Sequence, residues 1–594
     1  MPGNHLSSVW GMIAAVTDKS SERVLKMSFI QPCSASRSAR AGKPLLPLVL
    51  ASSALLCSAA FCSPASAQTP LQIGSPNIAI ADPPVPRPAT RPVTVPLFSN
   101  VAFADFSSKP FSYTPPAGTN NRWAKIVLVA DFSVSAGRQF DRTAQIAIGH
   151  TNIYFGTTAE PSRGVSPSWH VERDVTDYAA LLKTAQPGQT DIDNLVNSTY
   201  TGVIQGTAAL LFYPTAKNAL PPPVPDIVLP LPAGGNGVGS VGSPTDIQTT
   251  TVTLPTNVVR AYLDLITQSQ GGDEFWYLGV PNDLSSELQT SGNTAFREAE
   301  VSVDGTPAGV APVFPWIYTG GIDPYLWRPI PGVQTLNFTP YRVDLTPFAG
   351  QLNDGQPHTV GVRIFNNNNY FQIAGVLKLY VDPLLQTVSG RVTQNTLTTD
   401  PAPIVQTNLV TSPSGEITGP VSVTSSRSFV TEGYVLTSRG RVDTKITQKV
   451  GFSSVQQFDI SNTVEIQNAQ QLSVVDSATE TRSPHSDYIE RAAFRYPLTV
   501  DYSYIANTDG SASQTTSIQQ TDLVSRATVS NGFPTFFSLL SNTVSPTDTL
   551  VFSASGSYAP ANQHSAQTYF YADSTGSLYA RTITADNGVL SSIK

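Results

Sequence analysis

The chain has 594 residues, a formal net charge of −7 and 13% charged residues, against roughly 25% in ordinary globular proteins. Its 48 prolines and 41 glycines, beside only three cysteines and three methionines, are typical of a protein built from strands and turns. The acidic balance excludes a basic surface for nucleic acid, and the length allows about three or four domains.

The N-terminus has the pattern of a targeting segment. Basic residues precede an apolar run, and "SPASAQ" provides small residues for cleavage before Gln68. Pro47 and several serines interrupt the run, which argues against a transmembrane anchor. We expect a cleavable signal peptide over residues 1–67, with Met27 as an alternative start. All three cysteines lie in it, so we predict an exported chain without thiols, secreted or periplasmic.

The next two segments are a leader and a first β-rich domain. Residues 68–95 are rich in proline and predict an extended leader. In the domain predicted over 96–245, "WAKIVLVADFSV", "RTAQIAIGHTNIYFG" and "GTAALLFYP" alternate in the manner of half-buried strands. "RDVTDYAALL" is the one short helix-like piece, and residues 221–240 predict a linker or a long surface loop.

Two further β-rich domains are predicted. Over residues 246–385, strand candidates such as "VVRAYLDLIT", "REAEVSVDG" and "VLKLYVD" alternate with turn signals, including Asp304-Gly305. Over residues 386–594, the composition shifts to Ser, Thr, Gln and Val, and the pattern predicts long antiparallel meanders. No motif in this region indicates a chemical function. We therefore predict an all-β protein with three units, each plausible as a β-sandwich. No later apolar stretch is long enough to span a bilayer.

The stretch "QSQGGDEFWYLG", residues 268–279, contains the GGDEF letters of cyclic-dinucleotide cyclases. A cyclase needs a mixed sheet covered by long amphipathic helices, whereas this stretch is surrounded by strand and turn patterns. A five-residue match without its structural context is weak evidence. We therefore exclude the cyclase, which leaves Asp273 and Glu274 free for other chemistry.

Two carboxylate stretches are candidates for catalysis. The five histidines of the predicted mature chain are scattered and no GxSxG elbow occurs, so we expect neither a metal nor a cofactor. Asp141-Arg142 directly precedes a strand, and the alternative to a catalytic role is a structural ion pair or a turn residue. Asp273-Glu274 follows two glycines and precedes three aromatics, or it is a hairpin turn with its aromatics packed inward. Because adjacent carboxylates repel, one pKa should rise, and a protonated carboxyl can donate to a leaving group.

A third stretch, Val313 to Gly332, is an aromatic loop. Prolines and glycines exclude a regular strand, and the loop carries Trp316 and Trp327 beside Arg328. Aromatic rings can face the C–H side of a sugar while charged groups bind its hydroxyls, so the composition favours a saccharide cleft. The alternative is a loop folded over the core.

The order of these motifs resembles the peptide N-glycosidase A family, the acidic peptide-N4-(N-acetyl-β-glucosaminyl)asparagine amidases. The resemblance covers roughly residues 96–385 and lies in "GRQFDR" (137–142), "TAEPS" (158–162), "WHVERDVTDYAALL" (169–182), "DEFWY" (273–277), "FREAEVSVDG" (296–305) and "FPWIYTGGIDPYLWRPI" (314–330). It implies hydrolysis of the amide between Asn and the first N-acetylglucosamine of an N-glycan, at acidic pH and with tolerance of core α1,3-fucose. The similar flavobacterial-type enzyme implies two eight-stranded jelly rolls with the cleft between them.

The resemblance also implies roles for particular residues. Asp141 matches the essential Asp of the flavobacterial-type enzyme and would orient or deprotonate the water, while Arg142 would hold it ionised or bind the carbonyl oxygen. Glu274 matches a supporting glutamate of that enzyme and, protonated because of Asp273, would act at the glycosylamine side or bind the sugar. The second supporting glutamate of that enzyme finds no match in "VNSTY", and Glu160 is the residue expected to replace it.

The remaining predicted contacts are with the sugar. Trp276, Trp316 and Trp327 would stack on the chitobiose core, and Arg297 and Arg328 would bind hydroxyls or the acetamide oxygen. The predicted substrate-binding set also includes Arg142, Glu160 and Asp273. The expected partners are N-glycosylated peptides and glycoproteins. Two other functions stay open: a secreted glycosidase that uses paired carboxylates, and a non-catalytic glycan-binding β-sandwich protein.

Overall fold

The computed structural model describes residues 70–117 and 122–594, so the predicted signal peptide lies outside the described residues. Strands account for 57% of the structure and helices for 5%, which confirms the all-β class. In the described ranges, no helix has the length and apolar character needed to cross a membrane. The helical segments are one α-turn, Asn282–Ser285, and the 3₁₀ turns Thr176–Tyr178, Leu181–Lys183, Gly271–Asp273, Trp276–Leu278, Pro324–Trp327, Thr346–Phe348 and Gln351–Asn353.

The first eight strands form a jelly roll. Its sheets have the orders β1-β8-β3-β6 and β2-β7-β4-β5, the paired four-stranded sheets of that fold. The predicted helix-like piece forms only the two short 3₁₀ turns between β6 and β7. The strands are β1 Val93–Phe103, β2 Lys109–Tyr113, β3 Trp123–Val134, β4 Thr143–Ile148, β5 Thr151–Thr157, β6 Ser168–Asp174, β7 Gln186–Ile192 and β8 Ile204–Pro214.

The next nine strands form a second jelly roll. Its orders, β10-β17-β12-β15 and β11-β16-β13-β14, repeat those of the first, and β9 adds to β17. The segment predicted as a linker thus contributes two strands. Asp304 and Gly305 both have positive φ, 50° and 74°, and form the tight turn predicted between β13 and β14. The strands are β9 Ile227–Leu231, β10 Gly239–Val241, β11 Gln248–Thr253, β12 Val258–Gln270, β13 Glu298–Val303, β14 Thr306–Pro312, β15 Tyr341–Asp344, β16 Pro357–Phe365 and β17 Tyr370–Val381.

The C-terminal region is one twelve-stranded antiparallel sheet, which we call the long sheet. It is not a third sandwich, because no second sheet of its own covers it: side chains of its inner face share one core with the second jelly roll. Alternate residues of its strands are buried, as a half-covered sheet requires. The strands are β18 Ser389–Asn395, β19 Ile404–Thr407, β20 Val410–Thr411, β21 Ile417–Thr437, β22 Gly440–Ile460, β23 Val464–Ser483, β24 Ser486–Ala506, β25 Ala512–Ser530, β26 Phe533–Phe552, β27 Tyr558–Asp573, β28 Leu578–Asp586 and β29 Val589–Ile593.

The proline-rich leader is bound along the long sheet. The Gly74 N–H donates to the Leu590 carbonyl at 2.7 Å, and the Ala81 N–H donates to Gln567 Oε1 at 2.6 Å. The Ala79 N–H donates to the carbonyl of Pro329, in the aromatic loop, at 3.0 Å. The leader therefore ties the long sheet to that loop.

Candidate active site

The site is built around Asp141, in the loop that enters β4 of the first jelly roll. Its Oδ2 accepts the Gly320 N–H at 2.9 Å, and its own N–H donates to Glu160 Oε2 at 3.3 Å. Glu160 lies just after β5, and Gly320 belongs to the aromatic loop of the second jelly roll. Residues from both jelly rolls thus meet at one half-buried carboxyl group.

The aromatic loop approaches this closely because residue 320 is glycine. A Cβ at that position would collide with Glu160 Oε2 and would lie 3.1 Å from Asp141 Oδ1. A backbone N–H without a side chain therefore reaches the carboxyl group directly. The loop's Thr319 also donates its hydroxyl to the Thr158 carbonyl at 2.8 Å, which fixes the loop against the first jelly roll.

Three carboxyl groups influence one another here. Burial, together with the charge of Asp141, raises the pKa of Glu160 to about 7 and that of Glu274 to about 7. Burial also raises the pKa of Asp141, opposed by the Gly320 N–H and the Arg142 charge. Since these groups would repel one another if all were ionised, the cluster holds protons in the acidic range. Such a cluster can both deprotonate a water molecule and protonate a leaving group.

Asp273 and Arg297 have a different environment from Glu274. Asp273 Oδ1 is 2.9 Å from Arg297 Nε and 2.7 Å from Nη2, and both side chains are 0% exposed. Its Oδ2 accepts the backbone N–H groups of three consecutive residues, 368–370. The predicted substrate contacts of Asp273 and Arg297 are therefore wrong, because this buried ion pair holds the turn. The predicted reason for a protonated Glu274 also changes: burial and Asp141 raise its pKa, not Asp273.

The three tryptophans predicted to stack on sugar lie in the core. Trp276, Trp316 and Trp327 are 0%, 3% and 1% exposed. The Trp316 ring centroid is 4.3 Å from that of Phe338, and Trp327 Nε1 donates to the Gly321 carbonyl at 2.9 Å. The stacking prediction is wrong for these rings. The aromatic loop folds Trp316 and Trp327 over the core, and Trp276 packs inward from its own turn, which are the alternatives considered above. The loop still supplies the Gly320 N–H.

Arg142 and Arg328 lie at the edges of the cluster. Arg142 Nη1 donates to the Asp141 carbonyl at 3.3 Å, and its guanidinium carbon is 5.6 Å from the Phe140 ring centroid. Arg328 Nε donates to the Glu160 carbonyl at 2.9 Å. Both side chains are half-buried and positioned beside the carboxyl groups. Their predicted contacts with substrate stay predictions.

An aromatic pair that was not predicted from the sequence lies beside Asp141. The rings of Phe140 and Tyr200 have centroids 5.4 Å apart, and the Arg138 guanidinium carbon lies 5.3 and 5.2 Å from them. Both rings are half-buried, so part of each is available to a ligand. Phe140 belongs to "GRQFDR" and Tyr200 to "VNSTY", two motifs that were interpreted through their carboxylates and not through their aromatic residues. Within 70–117 and 122–594, no three His, Cys, Asp or Glu side chains are arranged to hold a metal ion.

The fold and the site together define a double jelly-roll protein whose acidic cluster forms where a loop of the second jelly roll meets the first. The chain belongs to the family described as peptide N-acetyl-beta-D-glucosaminyl asparaginase amidase A, which matches residues 83–396. A curated relative from Prunus dulcis, peptide-N4-(N-acetyl-beta-glucosaminyl)asparagine amidase A, is 30% identical over 392 residues, 62% of this chain and 67% of the relative. This confirms the family resemblance.

Solved structures are also similar. PNGase F, a glycosylasparaginase from Flavobacterium meningosepticum, is 15% identical with a TM-score of 0.35, over 49% of this chain and 96% of that chain. PNGF-II is 14% identical with a TM-score of 0.34, over 49% of this chain and 65% of that chain.

Proposed function

We propose that this protein hydrolyses the amide between Asn and the first N-acetylglucosamine of N-glycosylated peptides and glycoproteins. The products are Asp in the peptide and a glycosylamine. The observation that carries the proposal is Asp141, held by the Gly320 N–H and accompanied by two glutamates whose pKa values are raised to about 7. Membership of the amidase family supports the same reaction.

Asp141 is the group suited to act on water. Burial raises the pKa of Asp141, whereas the Gly320 N–H and the Arg142 charge oppose that rise and favour the ionised form. Asp141 would orient or deprotonate a water molecule that attacks the side-chain carbonyl carbon of the substrate Asn. The C–O bond forms, the C–N bond breaks, and the nitrogen needs a proton.

Glu274 is the group suited to supply that proton. Burial and Asp141 both raise its pKa, and no cation or donor in the described part of the chain lowers it. Burial and the charge of Asp141 raise the pKa of Glu160 to about 7 as well, but its Oε2 already accepts the Asp141 N–H at 3.3 Å. Glu274 is therefore the proton donor, and Glu160 positions Asp141 through its backbone.

The finer features of the activity are part of the same proposal. Activity at acidic pH is supported by the raised pKa values of both glutamates, which are protonated below about 7. Phe140 and Tyr200 supply the aromatic faces for sugar in place of the buried tryptophans. Tolerance of core α1,3-fucose rests on the family resemblance alone, and export rests on the N-terminal sequence pattern.

The test is product analysis with Asp141→Asn. Wild type should release the glycan and leave Asp in a glycopeptide, and the variant should lose turnover by about 10²–10⁴-fold because it cannot accept a proton. Mass spectrometry of the peptide measures both results. The exposed substitution Asp283→Asn is the control. Wild-type turnover in folded Asp141→Asn would contradict the assignment.

The same experiment separates the alternatives. A glycosidase would leave N-acetylglucosamine on an intact Asn, and a glycan-binding protein would retain the glycopeptide without forming product.

A further inference from the structure

A large cleft lies between the second jelly roll and the long sheet. It has a volume of about 700 Å³, within the range of small-molecule sites. One wall comes from β12, β14 and β15, and the other from seven consecutive strands of the long sheet, β21 to β27. Asp141, Glu160 and Glu274 do not line it, so it is separate from the proposed catalytic cluster.

The cleft is elongated. The seven strands lie side by side in the sheet, and adjacent strands are about 4.8 Å apart, so the wall spans roughly 29 Å. The cleft runs across the strands, and side chains rather than strand edges form that wall. A chain of several linked units would occupy it better than a single small molecule.

The lining combines aromatic rings with charges of both signs. Tyr341, Phe536 and Tyr571 line it and are half-buried, so each ring retains exposed area. The charged lining residues nearly balance: three arginines, Arg260, Arg342 and Arg526, accompany four acids, Asp264, Asp344, Glu490 and Asp522. Neither a polyanion nor a polycation is favoured by such a surface. Rings beside hydroxyl-binding groups suit a neutral saccharide.

One group lining the cleft retains binding capacity. Asp522 is 7% exposed, and its Oδ2 accepts Gln334 Nε2 at 2.6 Å. Its Oδ1 has no hydrogen-bond partner among the described residues. A buried carboxylate oxygen without a donor is costly, and a ligand hydroxyl would satisfy it.

We propose that this cleft is a second binding site, which takes a neutral oligosaccharide. An extended peptide is the competing ligand, since β15 is an edge strand beside the cleft. That edge has only four residues and follows Pro340, so it offers little backbone for strand addition. The proposal goes beyond the amidase function and does not depend on it, because the catalytic cluster takes no part in the cleft.

The experiment measures binding to the full-length protein by calorimetry. The probes are a reduced high-mannose N-glycan, cellohexaose and a glycan-free peptide. The variant is Phe536→Ser, whose ring lines the cleft, and the control is Phe537→Ser, the next residue of β26, whose side chain points to the opposite face and is 36% exposed. Turnover of a short glycopeptide is measured in parallel.

We expect Phe536→Ser to weaken saccharide binding at this site by about tenfold, the loss typical of one aromatic contact, and Phe537→Ser to leave it unchanged. Glycopeptide turnover should be unchanged in both variants. Binding of the N-glycan alone would identify the substrate's own glycan as the ligand, and binding of cellohexaose as well would identify a general saccharide site.

Two results would overturn the proposal: no saccharide binding that depends on Phe536, or Phe536-dependent binding of the peptide alone. If Phe536→Ser does not fold, Arg526→Ala replaces it, because Arg526 also lines the cleft and its side chain is 46% exposed. A protein without amidase activity that still binds saccharide here would refute the proposed function and leave this inference standing.

Discussion

Asp273 and Glu274 are adjacent in the chain but have opposite electrostatic environments. Asp273 is enclosed by Arg297 and three backbone N–H groups. Glu274 is half-buried, and the nearby charge acting on it is that of Asp141. A structural carboxylate and a proton-donor candidate thus occupy consecutive positions of one 3₁₀ turn and its cap.

This difference predicts the pH dependence of the enzyme. The pKa of Glu274 is raised to about 7, so the protonated form is present below that pH and is lost as pH rises through it. Wild-type kcat should therefore fall above about pH 7. In Glu274→Gln, kcat should be about 10²–10⁴-fold lower because the amide cannot donate a proton to the nitrogen, and KM should change much less.

The measurement is kcat and KM of wild type and variant from about pH 4 to about pH 9, a range that brackets carboxyl titration. The fall above neutral pH should be absent from the residual activity of Glu274→Gln, and the exposed control Glu287→Gln should keep the wild-type profile. Equal losses in kcat and 1/KM would make Glu274 a ligand contact instead.

At this scale the sequence predicted carboxylates better than aromatics. Asp141, Glu160 and Glu274 were candidates because of motif position, and the structure brings them together. Trp316 was assigned to sugar because tryptophans in a loop are usually buried or bound. The choice between those two outcomes depends on the long sheet that covers the loop, and no local pattern in the loop encodes that sheet.

Among the elements, the aromatic loop has a second carboxyl pair, away from the catalytic cluster. Asp323 begins the 3₁₀ turn of the loop, where its Oδ1 accepts the Tyr325 N–H at 2.9 Å, and Asp548 lies opposite it on β26. Both residues are 1% exposed. Burial and the charge of Asp323 raise the pKa of Asp548 to about 7, so the contact between loop and sheet is stable when the pair holds a proton.

The pair predicts a stability that depends on pH. The folded-state pKa of Asp548 is about 7 and the unfolded value is about 3.9, so the folded state binds more protons between these values. The stability that the protonated pair contributes is fully present below about pH 4 and is lost as pH rises towards 7. Asp548→Asn is neutral at every pH and should therefore melt at a higher temperature than wild type at pH 8. The melting temperature of the variant should also fall less than that of wild type between pH 5 and 8.

Calorimetric melting at those two pH values measures the effect. Asp283→Asn, an exposed substitution, is the control and should follow wild type. If the melting temperature of Asp548→Asn changed between pH 5 and pH 8 by as much as that of wild type, the pair would not hold this proton.

Elements were predicted well where a strand is apolar along its length, and less well where long-range contacts decide. The strands β3, β12 and β17 were recognised from their apolar residues, and in the structure their central residues are buried on both faces. Residues 221–240 were predicted as a linker or loop because they are rich in proline and glycine. The two short strands in this segment form by pairing with β17. The repeated jelly-roll order is a property of pairing between distant strands, which composition does not reveal.

At the scale of the whole molecule, the long sheet is part of the core that supports the catalytic cluster. Phe452 of β22 is 6% exposed, and its ring centroid is 5.1 Å from that of Phe296 and 6.3 Å from that of Trp276. Trp276 is two residues from Glu274, so this contact connects the sheet to the turn that carries the proposed donor. The region is therefore more than a spacer added to an enzyme.

This shared core predicts one cooperative unfolding transition for the described part of the chain. Phe452→Ala should lower the free energy of unfolding by about 3–5 kcal/mol, the cost of truncating a buried Phe. The temperature at which activity is lost should fall by as much as the melting temperature. Phe533→Ala is the matched control on the same sheet. Because Phe533 is 74% exposed, this substitution should change the free energy of unfolding by no more than about 0.5 kcal/mol. Thermal melts followed by tryptophan fluorescence and by residual activity make the measurement. If the long sheet folded as an independent domain, Phe452→Ala would shift one of two separate transitions and leave the activity-linked transition unchanged.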